Sequence, residues 1–179
     1  MEAQSFGKYH SGAERRASGE IRGANDAAFS LIELMIVVAI ILIIAAIAIP
    51  NFMRSRIAAN EAAAVASMRA INSAEIVYSS QYQTGYSSTL LDLGQPASGI
   101  PSSTAAGLID DVLAGGKKSG YLFLYSPGNL SGSFYGSYSL NANPFIPERT
   151  GVRYFYTDTG GVIRVAFGSQ AGPSDTPLQ

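Results

Sequence analysis

Residues 29–49 read FSLIELMIVVAIILIIAAIAI, 21 positions whose only charge is Glu33 and whose only other polar side chain is Ser30. At 1.5 Å per residue the run makes a helix of roughly 31 Å, matched to a bilayer hydrocarbon core of ~30 Å. The core helix of a soluble protein keeps an amphipathic stripe, whereas this run is apolar all round, so it is read as membrane-inserted. A secretory signal has a shorter apolar region, ~7–15 residues, ending at a small-residue cleavage site. Residues 1–28 are polar, and Lys8, Arg15, Arg16 and Arg22 favour keeping that end in the cytoplasm, while Arg54 and Arg56 beyond the run pull the other way.

After Pro50 a helical pattern resumes and persists to Tyr82, rich in alanine and free of glycine and further proline. Pro50 lacks an N–H and crowds the carbonyl four residues earlier, which predicts a kink or local unwinding there. Ile57, Ala64, Met68, Ile71, Tyr78 and Tyr82 recur on one face at helical spacing. Glu75 lies near the middle of that stripe and is expected to reach solvent or to pair with a basic side chain. Residues 83–119 are rich in Gly, Ser and Pro and read as a loop, with a short helical turn within 108–114.

From 120 to 179 the pattern turns to strands: GYLFLYS (120–126), SFYGSYSLN (133–141), VRYFYTD (152–158) and GVIRVAFG (161–168). Thr159-Gly160 reads as a tight turn, and Asn143-Pro144 with Pro147 as a loop. Eleven of the 18 aromatics fall between Tyr121 and Phe167. An aromatic sheet face and an amphipathic helix face each need a cover, and each supplies the other's. The expected fold is therefore α+β, a long N-terminal helix whose second half packs on a small four-stranded antiparallel sheet. Its expected divisions are 1–28, 29–50, 51–82, 83–119 and 120–179.

Composition removes most chemistries. The chain has 179 residues, 14% charged against a usual ~25%, with net charge −1, no cysteine and one histidine, His10. Disulfides, thiolate metal sites and cysteine nucleophiles are excluded, and a Ser-His-Asp triad or a histidine metal cluster has no histidines to draw on beyond His10. The charge balance gives no basis for a nucleic-acid partner. No phosphate-cradling P-loop motif occurs, so ATP-driven work needs a separate motor. Neither an enzyme nor a cofactor site is expected.

Together, FSLIELMIVVAIILIIAAIAIPNFMRSR, with its leading aromatic, the carboxylate four positions on, the apolar span and the proline just past it, resembles the N-terminus of type IV pilins. The resemblance covers about 45 residues, from Phe29 to roughly Glu75, and beyond them only the arrangement of helix, loop and sheet is similar. It implies a prepilin whose residues 1–28 are a leader cut by a prepilin peptidase between Ala28 and Phe29, N-methylation of the new Phe29 amine, and Glu33 as the assembly carboxylate. Ala28 stands where the family nearly always has glycine. The implied life cycle begins in the bacterial inner membrane, C-terminal domain in the periplasm, and ends in an extracellular helical homopolymer built by a motor and platform. The related pseudopilins of type II secretion share the motif and are the alternative reading.

The remaining candidates have plainer readings. Asp110-Asp111 lack the spaced oxygen ligands of a calcium site and read as a solvated helical turn. Lys117, Lys118, Arg149, Arg153 and Arg164 read as scattered surface charge rather than a DNA-binding patch. Phe29, Phe52, Tyr78 and Tyr82 read as packing aromatics rather than an electron path.

Overall fold

The computed structural model describes residues 29–132 and 134–178, and the chain divides into two compact units between Leu42 and Ile43. Helix α1 runs Leu31–Tyr82 with Pro50 inside it and is not interrupted at the proline. In the first unit the Ser30 carbonyl accepts the Leu34 N–H at 3.2 Å, closing the first turn. Side chains from Phe29 to Leu42 are all exposed.

In the second unit, α1 ends where the chain turns left-handed at Gln83 (φ 54°), followed by Gly85 (φ 78°). Gly85 is required there because it bridges to the Tyr135 backbone, and an added Cβ would overlap the Tyr135 carbonyl oxygen. A 3-10 turn at Leu90–Leu93 and helix α2, Asp111–Ala114, carry the connection, and Leu93 and Leu113 from these pieces reach the core.

Six strands follow as an antiparallel meander in sequence order: β1 (Lys117–Lys118), β2 (Tyr121–Ser131), β3 (Phe134–Pro144), β4 (Arg153–Asp158), β5 (Arg164–Phe167) and β6 (Thr176–Pro177). Four strands were expected. The two extra ones are two-residue edge pairings, too short to carry a period-two signal. Three further boundaries differ. β2 runs on past Ser126 to Ser131, because the facing β3 residues Phe134–Tyr138 pair with it across Pro127 and Gly128, which break the local strand pattern. β3 extends through Asn143 to Pro144, where a loop was expected, because a proline at a strand's last position forfeits little pairing. β5 starts at Arg164, since residues 159–163 form a five-residue connection in which the Asp158 carboxylate accepts the Gly160 N–H at 2.8 Å.

Alternation along the strands decides the core. Tyr121 and Phe123 of β2, Tyr138, Leu140 and Ala142 of β3, and Phe155 and Thr157 of β4 are buried on one face. Most of these join one cluster with Ala64, Val65, Met68, Ile71, Ala74 and Tyr78 of α1. The opposite face is partly covered by the C-terminal segment, where Asn141 Nδ2 donates to the Ala171 carbonyl at 2.7 Å and both residues are buried.

Candidate functional site

Two sets of residues carry chemistry. In the first unit, Phe29 directly precedes α1 and Glu33 stands in its first turn, where a carboxylate complements the partial positive charge of the helix N-terminus. Ala28, the other half of the expected cleavage pair, lies outside the described residues, as does the leader. Among the described residues no cation pairs with Glu33. From Leu31 to Ile49 fourteen large apolar side chains are exposed. Covering each is worth roughly 1.5–3 kcal/mol, so the run stands to gain on the order of 20 kcal/mol or more. That exceeds the ~5–15 kcal/mol net stability of an ordinary domain, and water is therefore not the environment of this segment.

The second unit holds polar groups in its helix–sheet interface. Glu75 is fully buried, contrary to the expectation that it reaches solvent or a basic partner. No cation meets it. Its carboxylate instead accepts the Ser87 N–H at 3.0 Å and the Ser87 hydroxyl at 2.5 Å, while the Tyr125 hydroxyl donates to the Ser87 carbonyl at 2.9 Å. Burial pushes the Glu75 carboxyl above its ordinary range, and the Ser87 bonds oppose the shift without cancelling it. Burial and the neighbouring Glu75 likewise push the Tyr125 hydroxyl up.

Glu61, two heptads earlier on the same face, behaves in the opposite way. It accepts the Val152 N–H at 2.8 Å and the Arg153 N–H at 3.1 Å, and pairs with Arg153 Nε at 2.7 Å. Burial alone would raise its pKa, but these donors and the guanidinium outweigh it and hold the carboxyl below the ordinary range. Between the two glutamates, Asn72 donates to Thr157 Oγ1 at 3.1 Å and accepts from the Tyr138 hydroxyl at 3.0 Å. Glu61, Asn72 and Glu75 pin α1 at three points, to the start of β4, to β3 and β4, and to the chain leaving α1. The signal available in the sequence was their spacing: 61, 68, 75 and 82 fall on one face, so both carboxylates belong to the buried stripe.

The other candidates are occupied structurally. Asp110 caps α2 by accepting the Leu113 N–H at 3.1 Å and pairs with Lys118 at 2.7 Å. Lys118, Arg153 and Arg164 are thus engaged, Arg164 through the Asp175 carbonyl at 2.9 Å, and Lys117 sits over the Phe145 ring at 3.4 Å. Tyr78 packs 4.9 Å from Tyr82, ring centre to ring centre. Among the described residues no group of three or more metal-ligating side chains comes together.

What remains for function is the uncovered apolar helix and its single early carboxylate. Residues 23–49 match the family described as "Prokaryotic N-terminal methylation motif", a type IV pilin and pseudopilin signature. The match is confined to this N-terminal stretch of an α+β chain, and the helix that contains most of it is long and apolar enough to cross a membrane. No curated protein and no solved structure matches the chain.

Proposed function

We propose that the protein is a structural subunit of a type IV pilus, stored in the inner membrane through Phe29–Ile49 and polymerised through that same helix into an extracellular fibre. The carrying observation is the uncovered apolar run with one carboxylate in its first turn. In this reading a prepilin peptidase cuts between Ala28 and Phe29, the Phe29 amine is N-methylated, and the cationic amine of one subunit meets Glu33 of a neighbour. An ionisable group inside a membrane span is costly unless it has such a partner. Lipid covers the apolar surface before assembly, and the helices of other subunits cover it afterwards. Pro50 gives the helix a point of bending between the two environments, since it removes one hydrogen bond from the ladder. A separate motor and platform supply the work.

Mass spectrometry of purified fibres is expected to find a mature chain beginning at methylated Phe29. Glu33→Ala should remain membrane-inserted, since removing a charge from a span favours insertion, yet yield no regular fibre. Wild-type fibre abundance in that variant would overturn the role of Glu33. Electron microscopy of sheared cell-surface material separates a pilus from the short periplasmic assembly of a secretion pseudopilin.

A further inference from the structure

Among the exposed apolar side chains of the second unit, one group gathers just past Pro50 on α1. Phe52 and Met53, one turn past Pro50, line a shallow pocket of about 210 Å³ with Arg56 from α1 and Ile146, Arg149 and Thr150 from the β3–β4 connection. Phe52 is 68% exposed, Phe145 51%, Met53 43% and Ile146 41%. The connection is held in shape rather than loose. The Thr150 N–H donates to the Ile146 carbonyl at 2.9 Å, the Phe145 N–H to the Gly120 carbonyl at 2.9 Å, and Asn60 Nδ2 to the Thr150 carbonyl at 2.9 Å. Glu61 receives the Val152 and Arg153 N–H groups immediately after it. Residues 145–150 are therefore anchored against the first turns of α1 beyond the apolar run.

Charge and depth identify what this surface meets. Between Glu33 and Glu61 the chain has no acidic residue, Arg56 and Arg149 line the pocket itself, and the exposed Lys117 sits over the Phe145 ring, with Glu148 as the one acid of the connection. The surface is thus apolar with a cationic margin, a composition that suits the boundary between acyl chains and phosphate headgroups. If Ile49 marks the edge of the hydrocarbon, Phe52 lies ~4.5 Å beyond it along the helix axis and Arg56 ~10 Å beyond. The headgroup layer is roughly 5–7 Å thick on each side, so Phe52 falls within it and Arg56 lies just outside its outer edge, and Ile146 lines one pocket with both.

We propose that residues 145–149, with Phe52, Met53, Arg56 and Arg149, form a foot by which the subunit rests on anionic phospholipid headgroups while it waits in the membrane. The inference rests on the reading of Phe29–Ile49 as a membrane span. An identical foot on a second copy carries the same positive charge and repels it, whereas lipid phosphate complements it. The foot fixes the globular unit against the bilayer before a subunit is extracted, and extraction has to break this contact as well as withdraw the span.

The absence of native cysteine makes single-site labelling clean. Full-length chains carrying Leu42→Cys, Ile146→Cys or Thr159→Cys are labelled with an environment-sensitive fluorophore and placed one copy per nanodisc of mixed phosphatidylglycerol and phosphatidylcholine. The expected result is a deep label at 42, a headgroup-depth label at 146 quenched by shallow lipid quenchers, and an aqueous label at 159. Adding Arg56→Gln and Arg149→Gln should lower the docked-to-free ratio at 146 about fivefold per arginine removed. An aqueous label at 146 with a deep label at 42 overturns the foot and leaves the span intact. An aqueous label at 42 overturns the span itself. If the label at 146 leaves water only when two copies share a bilayer, the occupant is a second subunit and the lipid proposal falls.

Discussion

The stretch Phe29–Ile49 and the stretch Glu61–Tyr78 are neighbouring parts of one chain, yet their burial runs opposite to their polarity. The first is almost wholly apolar and contributes nothing to the core. The second contains Glu61, Ser67, Asn72 and Glu75, all buried. Hydrophobicity alone would have ordered them the other way. A side chain is buried inside a chain only where another part of that chain fits over it, and the sheet fits over Glu61–Tyr78. Glu61, Asn72 and Glu75 survive there because each meets hydrogen-bond partners in place, which removes most of the desolvation cost. The apolar stretch finds no such cover within the described residues, which is why it is proposed as the assembly and anchoring element.

The largest way to test this contrast is to separate the two. A fragment starting at Ala58 keeps the helix face that the sheet covers and loses the uncovered one, and it is expected to be soluble and monomeric by light scattering. Filaments formed by that fragment would place the association energy in the globular surfaces instead.

A substitution pair sharpens it further. Met68→Ala empties volume from the middle of the core and should lower stability by about 2–5 kcal/mol in denaturant titration, whereas Leu42→Ala should leave the globular transition unmoved. An equal loss from both would mean that the apolar stretch is part of the same cooperative core.

The smallest effects come from the two interface glutamates, and they are distinguished by sign. Glu75→Ala leaves the buried Ser87 N–H without its acceptor and should cost about 1–3 kcal/mol. Glu75→Gln keeps an acceptor and removes the charge. Because the folded pKa of Glu75 is raised, its contribution is fully present below the ordinary value of 4.5 and is lost as pH rises through the raised value. Glu75→Gln should therefore gain on the wild type as pH rises from acid to neutral. Glu61 has a lowered folded pKa, so its contribution is present above 4.5 and lost as pH falls through the lowered value. Glu61→Gln should lose ground over the same rise. Denaturant midpoints of both variants across that range check the pair, and slopes of the same sign would contradict the assignment of their environments.

Sequence reasoning reached the long helix, its apolar first part, the stripe through Ala64, Met68 and Ile71, and the central strands, because these rest on periodicities of 3.6 and 2 that neighbouring residues express together. The methylation motif was legible for a similar reason: an aromatic, a carboxylate, an apolar run and a proline lie within a few turns of one another. The short edge strands β1 and β6 escaped, since two residues show no period and their pairing depends on where β2 and β5 already lie. The placement of Glu75 escaped too. Its partner Ser87 sits 12 residues later, beyond a left-handed turn at Gln83 that no composition signal announces, and Tyr125 comes from the sheet. Local order along the chain thus determined which segments are helix, strand and anchor. Only the tertiary structure decided which polar side chains are enclosed, what each one meets, and which way each responds to pH, because desolvation and hydrogen bonding depend on atoms brought together from distant parts of the chain.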